Sequence, residues 1–255
     1  MYNTKNLISG AAAIYFSTEA SDSANWTGSV PLPTPVPTES MSKTLEDSDA
    51  WYSVGFTRDG VEVEYTPEFR EVEVDQIMDA AAMRKTKQSV SVRTTLAEAT
   101  LENLQTVWAL PTDALAAFST HSTGWDGETL VEGDKQIGLN EGELGDVPLE
   151  RSLAFVGQAP QKAGRNSERV YHIRRVLQTE ASTHSLKRAE DTVFPVTFRC
   201  MPDPNHPGAG YGVIKDRVFS GTTSRVNPAP KDPPVDDPTT PDVDESTGST
   251  LPDVG

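Results

Sequence analysis

Between Val61 and Gln76 the chain reads VEVEYTPEFREVEVDQ, an apolar residue and an acid in turn along most of its length. Successive side chains of a strand point to opposite faces, so this period predicts half-buried strands and disfavours a helix. Two runs are expected, 61–66 and 69–76, with a turn before them at Asp59-Gly60. Val61, Val63 and Tyr65, then Val72 and Val74, are expected to face a core. Glu62, Glu64, Glu71 and Glu73 are expected to form an acidic stripe on the surface.

Further strand signals follow in QSVSVRTTL, RSLAFVGQ, SERVYHIRRVLQTE, DTVFPVTFRCMPD and YGVIKDRV, with weaker ones near 128–132 and 135–139. One helix stands out. In TLAEATLENLQTVWAL, Thr95 and Glu98 have capping-box spacing, Ala97, Leu101, Leu104 and Trp108 share one helical face, and Pro111 stops the run. TDALAAF suggests a further short helical turn. Many strands and one clear helix predict a mainly β protein, an antiparallel sandwich or barrel with a flanking α-helix and extended loops. The segment IMDAAAMRKTK, 77–87, has no clear strand period. Its Ile77, Met78, Met83, Arg84, Lys85 and Lys87 are expected on a long exposed hairpin loop.

Three regions are expected. Residues 1–49 read as an N-terminal arm followed by the Pro-rich linker VPLPTPVPTES, whose prolines favour an extended path. Residues 50–220 read as the β domain. Residues 221–255 hold seven acids against Arg225 and Lys231, a net charge of −5, with no aromatic residue. Such a composition predicts a disordered acidic tail.

Charge narrows the function. The 255 residues carry 22 basic and 38 acidic side chains, a net charge of −16. That balance argues against a protein that grips nucleic acid or an anionic membrane. The single cysteine, Cys200, excludes an internal disulfide and reads as a buried, inert thiol. No apolar run reaches membrane-spanning length and the first twenty residues make a poor signal peptide, so folding in a cytoplasm is expected, without use of the sequon at Asn25.

Catalytic patterns are missing. GQAPQKAGRNS lacks the glycine spacing and ending of a phosphate-binding loop, and no nucleophile elbow occurs. His121, His172, His184 and His206 show no metal-ligand spacing, and His172 reads as a surface or packing residue. WDGETLVEGDKQIGLNEGE is acidic but out of register for a calcium loop. Among 38 acids, any two can be cast as a glycosidase pair, which selects nothing. No enzyme, metal or cofactor is expected.

The succession VGFTRDGVEVEYTPEFREVEVDQ, then SVSVRTTLAEATLENL, then FPVTFRCMPDPNHPG resembles the major tail tube proteins of long-tailed bacteriophages with non-contractile tails. TLAEATLENL at Thr95–Leu104 is its most specific element, and the likeness covers about residues 50–215. The resemblance implies a tail tube β fold, similar to that of type VI secretion tube proteins. It also implies hexameric rings whose sheets join into an inner barrel and stack into a tube. The partners implied are other copies of the chain, a tape-measure protein, the terminator and distal tail proteins, and viral DNA in transit without specific binding. The place implied is a virion tail assembled in the host cytoplasm, with no membrane partner. On this reading Glu62, Glu64, Glu71 and Glu73 line the lumen and repel phosphates, and the 77–87 loop and the N-terminal arm reach the neighbouring ring. A terminator, distal tail or decoration protein, or a secretion-system tube subunit, is the alternative.

Overall fold

The computed structural model describes residues 8, 10–22, 26–73, 75–76, 78–117, 123–139, 147–160, 166–189 and 191–221. Val74, Ile77, His121, Asn25 and the acidic segment 222–255 therefore lie outside the described residues.

In chain order the elements are β1 (Ala13–Ser17), β2 (Ser21–Asp22), α1 (Met41–Glu46), β3 (Trp51–Ser53), β4 (Thr57–Val72), β5 (Ala82–Leu96) and α2 (Leu101–Val107). They continue with β6 (Leu115–Ala117), β7 (Lys135–Ile137), β8 (Leu149–Gln158), β9 (Asn166–Gln178), β10 (Phe194–Met201) and β11 (Gly212–Phe219). The fold is mainly antiparallel β. One open sheet runs β3-β1-β8-β9-β10-β5-β4, with β2 added to β8 and β11 to β9, and β6–β7 form a separate hairpin. The thirteen-residue β9 makes this shape. One of its sides pairs with β8, and the other is shared, with β11 along 166–173 and β10 along 175–178.

Alternation then builds two cores. Ile14 and Phe16 of β1 and Leu153 and Phe155 of β8 enter the larger one. There they meet Val92 and Leu96 of β5, Val107 of α2, and Phe194, Val196, Phe198 and Cys200 of β10. Ala13, Tyr15, Ala154 and Val156 point the other way, under Met41 and Leu45 of α1 and beside Trp51. A sheet region buried on both faces needs unbroken apolar runs, which is why AIYF and LAFV do not alternate. Burial pushes the Cys200 thiol up to about 12, as expected of an inert core cysteine.

Residues 13–22 and 26–49 are not a separate arm and linker. β1 pairs with both β3 and β8 inside the sheet. The chain from Trp26 to Glu46 is fastened across it by buried polar groups and by Val30 and Leu32. Asp203 accepts hydrogen bonds from Trp26 Nε1 (3.1 Å) and the Ser29 amide (3.3 Å), and pairs with His206 Nδ1 (2.9 Å). Burial alone would raise its pKa, but these donors and the Asn205 amide outweigh it and hold Asp203 at about 2. Glu168 accepts from the Met41 amide (2.8 Å) and from Arg217; burial still leaves its carboxyl above its usual value. His172 Nε2 meets the Val30 carbonyl at 3.0 Å, so this histidine is a packing residue. The helix count is also two rather than one among the described residues, because α1 is six residues long and gives too few turns to show a period.

The clear helix starts later than its capping box predicts. Thr94 and Thr95 belong to β5, which is paired on both sides there, by β4 and by β10. Two ladders outweigh the local helix signal. Thr100 caps α2 instead, accepting from the Asn103 amide at 3.3 Å, while the Glu98 carboxylate accepts from the Phe56 amide at 2.8 Å. The buried residues of α2 are Asn103, Gln105, Thr106 and Val107. Of the expected core face, Leu104 packs on the larger core and Leu101 is half-buried, but Ala97 precedes the helix and Trp108 caps it with 37% of its surface exposed. TDALAAF supplies a single 3₁₀ turn and β6, and of the two weak strand signals only 135–139 yields a strand, β7.

Candidate interaction surface

β4 and β5 form a ribbon that outruns the rest of the sheet. β10 pairs with β5 only along Val90–Leu96, so Thr66–Val72 and Ala82–Ser89 continue as two strands alone for about 20 Å. Three expectations change here. Asp59-Gly60 is not a turn but a bulge inside β4, where φ of 65° and 76° leaves both residues unpaired between Arg58 and Val61. The two acidic strands are one sixteen-residue strand. Met83, Arg84, Lys85 and Lys87 sit in β5, not in a loop; a second bulge at Thr86 offsets the register there, which hid the strand period.

A continuous strand fixes which side chains share a face. Glu64 and Glu71 are seven positions apart, an odd number, so they point to opposite sides. The four glutamates therefore do not make one stripe. Glu62 and Glu64 lie on one face with Glu68, Glu71 lies on the other, and Glu73 falls beyond the end of β4.

The first face is charged and carries both signs. Opposite Glu62, Glu64 and Glu68 stand Arg93, Ser91 and Lys87 of β5. Lys87 Nζ is 2.9 Å from Glu68, and Arg93 lies 3.5 Å from Glu64 and 3.9 Å from Glu180 beyond β9. Arg58, Arg70 and Arg84 share this face, as does Arg199 of β10 through its pairing with Ser91. Six cations thus accompany three glutamates on the sheet face of a chain whose net charge is −16. At the bulge an open cleft of about 280 Å³ exposes Glu62, Arg93 and Glu180 together.

The second face is apolar and runs out of the core. Val61 and Val90 pack against the larger core beside buried Val92. Further out, Val63 (42% exposed), Tyr65 (55%), Phe69 (54%) and Met83 (63%) face solvent, so the expectation that Val63 and Tyr65 point into this chain's own core fails. Lys85 belongs to this face; its Nζ donates to Tyr65 Oη at 3.1 Å and sits 5.8 Å from the ring centroid. Met78, at the tip, is fully exposed. Among the described residues, the outer edge of β4 carries no further strand.

Of the cations on the charged face, Arg84 and Lys87 are among the expected loop residues, whereas Arg58, Arg70, Arg93 and Arg199 are not anticipated from the acidic period. Across the turn, RKTKQSVSVR holds Arg84, Lys87 and Arg93, the complementary half of the pattern. Among the described residues no group of three or more His, Cys, Asp or Glu side chains is arranged to hold a metal ion, and no helix is long and apolar enough to cross a membrane.

Fold and surface together define an antiparallel β protein whose most developed surface is an uncovered sheet edge with one charged and one apolar face. Compared with known proteins, the chain matches no family model, and no curated protein matches it.

Proposed function

We propose that this chain is a structural, self-assembling subunit of a tubular conduit, a phage tail tube protein that forms stacked hexameric rings. One observation carries the reading: among the described residues the outer edge of the sixteen-residue β4 is unpaired, and the apolar face beside it is left open to water. Long exposed edges invite strand addition, and proteins that remain single normally cover or interrupt them. Here the bulge at Asp59-Gly60 and Pro67, which has no donor, interrupt the edge, and Val61–Thr66 between them is continuous. A second copy supplies what is missing, a strand for the edge and apolar groups for Val63, Tyr65, Phe69 and Met83. Repetition of that head-to-tail contact generates a ring when the rotation closes.

In this reading the charged face of β10-β5-β4 lines the channel, with Glu62 and Glu64 on it, and Glu71 is removed from the lumen set. The ribbon tip, with Met78, Met83, Arg84, Lys85 and Lys87, reaches the next ring. Tape-measure and tail-end proteins are the further partners, and DNA passes through the channel in a virion tail.

Negative-stain electron microscopy of the full chain, concentrated across a range of salt, tests this. Hollow rings or stacked tubes with a central channel are the expected result. A closed particle without a channel, or a monomer under every condition, counts against it; the closed particle would direct attention to a tail terminator or decoration role.

A further inference from the structure

We infer that the charged face of β10-β5-β4 is a duplex-phosphate contact surface held weak by its own glutamates, which compete with phosphate for the same cations. This goes beyond the tube reading, because it concerns the face of a single subunit.

Four arginines on this face, Arg58, Arg70, Arg84 and Arg199, are exposed and have no ion pair among the described residues. Arg70 and Arg84 stand directly opposite each other across the ribbon. Like charges so placed repel, and an anion between them relieves the repulsion. From Arg58 to Arg70 the row spans about 33 Å along the ladder, the two bulged residues left out, the length of roughly one helical turn of duplex.

The rest of the face suits a phosphate backbone better than bases. Ser89, Thr95 and Thr197 offer hydroxyl donors between the cations, while Thr66 and Ser91 donate to Glu64. No aromatic residue lies on this side of the three strands, since Tyr65 and Phe69 point to the other. Base stacking, on which single-strand binders rely, therefore has no platform here. Contacts made only to phosphates carry no sequence information and allow sliding.

Glu62, Glu64 and Glu68 set the strength. Lys87 and Arg93 already have carboxylate partners, which a phosphate must displace. Glu180, 3.9 Å from Arg93, and Asp59, in the same cleft, add to this competition at the bulge.

The test uses the full chain and a labelled duplex of about 20 base pairs, read by fluorescence anisotropy as salt is raised. The wild type is expected to bind weakly. With about three phosphates neutralised, its affinity should fall about 40-fold for a fourfold rise in salt. E62Q/E64Q/E68Q is expected to tighten binding at least tenfold, and R58Q/R70Q/R84Q/R199Q to abolish it. All positions are exposed, and circular dichroism melts check that both variants fold. Failure of the glutamine variant to gain affinity overturns the inference, as does binding that survives loss of the four arginines. Because Arg84 also stands at the ribbon tip that the conduit reading sets against the next ring, R58Q/R199Q, which spares the tip, is measured beside the fourfold variant; unchanged duplex binding by R58Q/R199Q overturns the inference. Binding by this face without rings in the microscope would sink the conduit and leave the inference standing.

Discussion

Lowering the pH from 7 to 5 should unfasten the Pro-rich crossing segment through one histidine. His172 is buried with its Nε2 on the Val30 carbonyl, and burial first, then the nearby Arg174 and His206, pull its pKa from 6.5 to about 4. The folded state therefore binds fewer protons than the unfolded state between those values. Stability is full above pH 6.5 and is lost as pH falls from there through 4. A shift of this size corresponds to roughly 3 kcal/mol in all, of which about 2 kcal/mol is gone by pH 5. Glu168, whose pKa is raised by burial, works in the opposite sense and gains stability in acid, while Asp203, held at about 2, begins to lose stability only below 3.8. His172→Gln isolates the histidine, because the amide keeps an N–H for Val30 and cannot titrate. Urea unfolding of both proteins at pH 7, 6 and 5 gives the assay. The stability difference between wild type and variant should shift by about 2 kcal/mol across that range. A difference that does not change with pH refutes the assignment of His172 as the group responsible.

Other expectations are more direct. Tyr65→Ser with Phe69→Ser should leave monomer stability within about 0.5 kcal/mol, since both side chains face water, yet abolish ring formation in electron micrographs. Charge reversal at Arg84, Lys85 and Lys87 together should stop stacking while the subunit stays folded by circular dichroism; normal tubes would remove these residues from the contact. Thr100→Ala removes the cap that accepts from the Asn103 amide and should lower stability by about 1 kcal/mol in chemical denaturation. Cys200, with its thiol pushed up to about 12, should stay unmodified by a thiol reagent at neutral pH and react only once urea unfolds the chain.

The sequence pattern carried the strands more faithfully than it carried their phase. Val61–Glu64 and Val72–Asp75 alternate equally well, but TPEFR between them changes the parity, so two correct local readings combined into a wrong shared face. Composition at Val30–Ser40 suggested a free linker because prolines dominate it. What holds it down is a set of single partners, His172 on Val30 and Arg217 on Val36 and Glu39 above all, more than 140 positions away. Such pairings leave no periodic trace. The helix phrase failed at its start for a related reason: Thr95 and Glu98 satisfy a local rule, yet Thr95 is taken up by β4 and β10. The bulge at Thr86 likewise disguised the cationic strand that completes the surface.

The position of β1 has a consequence for the order in which the molecule can form. Its partners on one side, Leu153 to Val156, lie about 140 residues downstream, so during synthesis the first strand waits for most of the chain. The β4–β5 ribbon needs only its own residues, 57 to 96, and can zip as soon as they emerge. The sticky element is thus ready before the core that anchors it. Nascent chains held close together on one message would meet through their ribbons first, which makes translation rate and local concentration the quantities that decide between separately folded and entangled, half-folded chains.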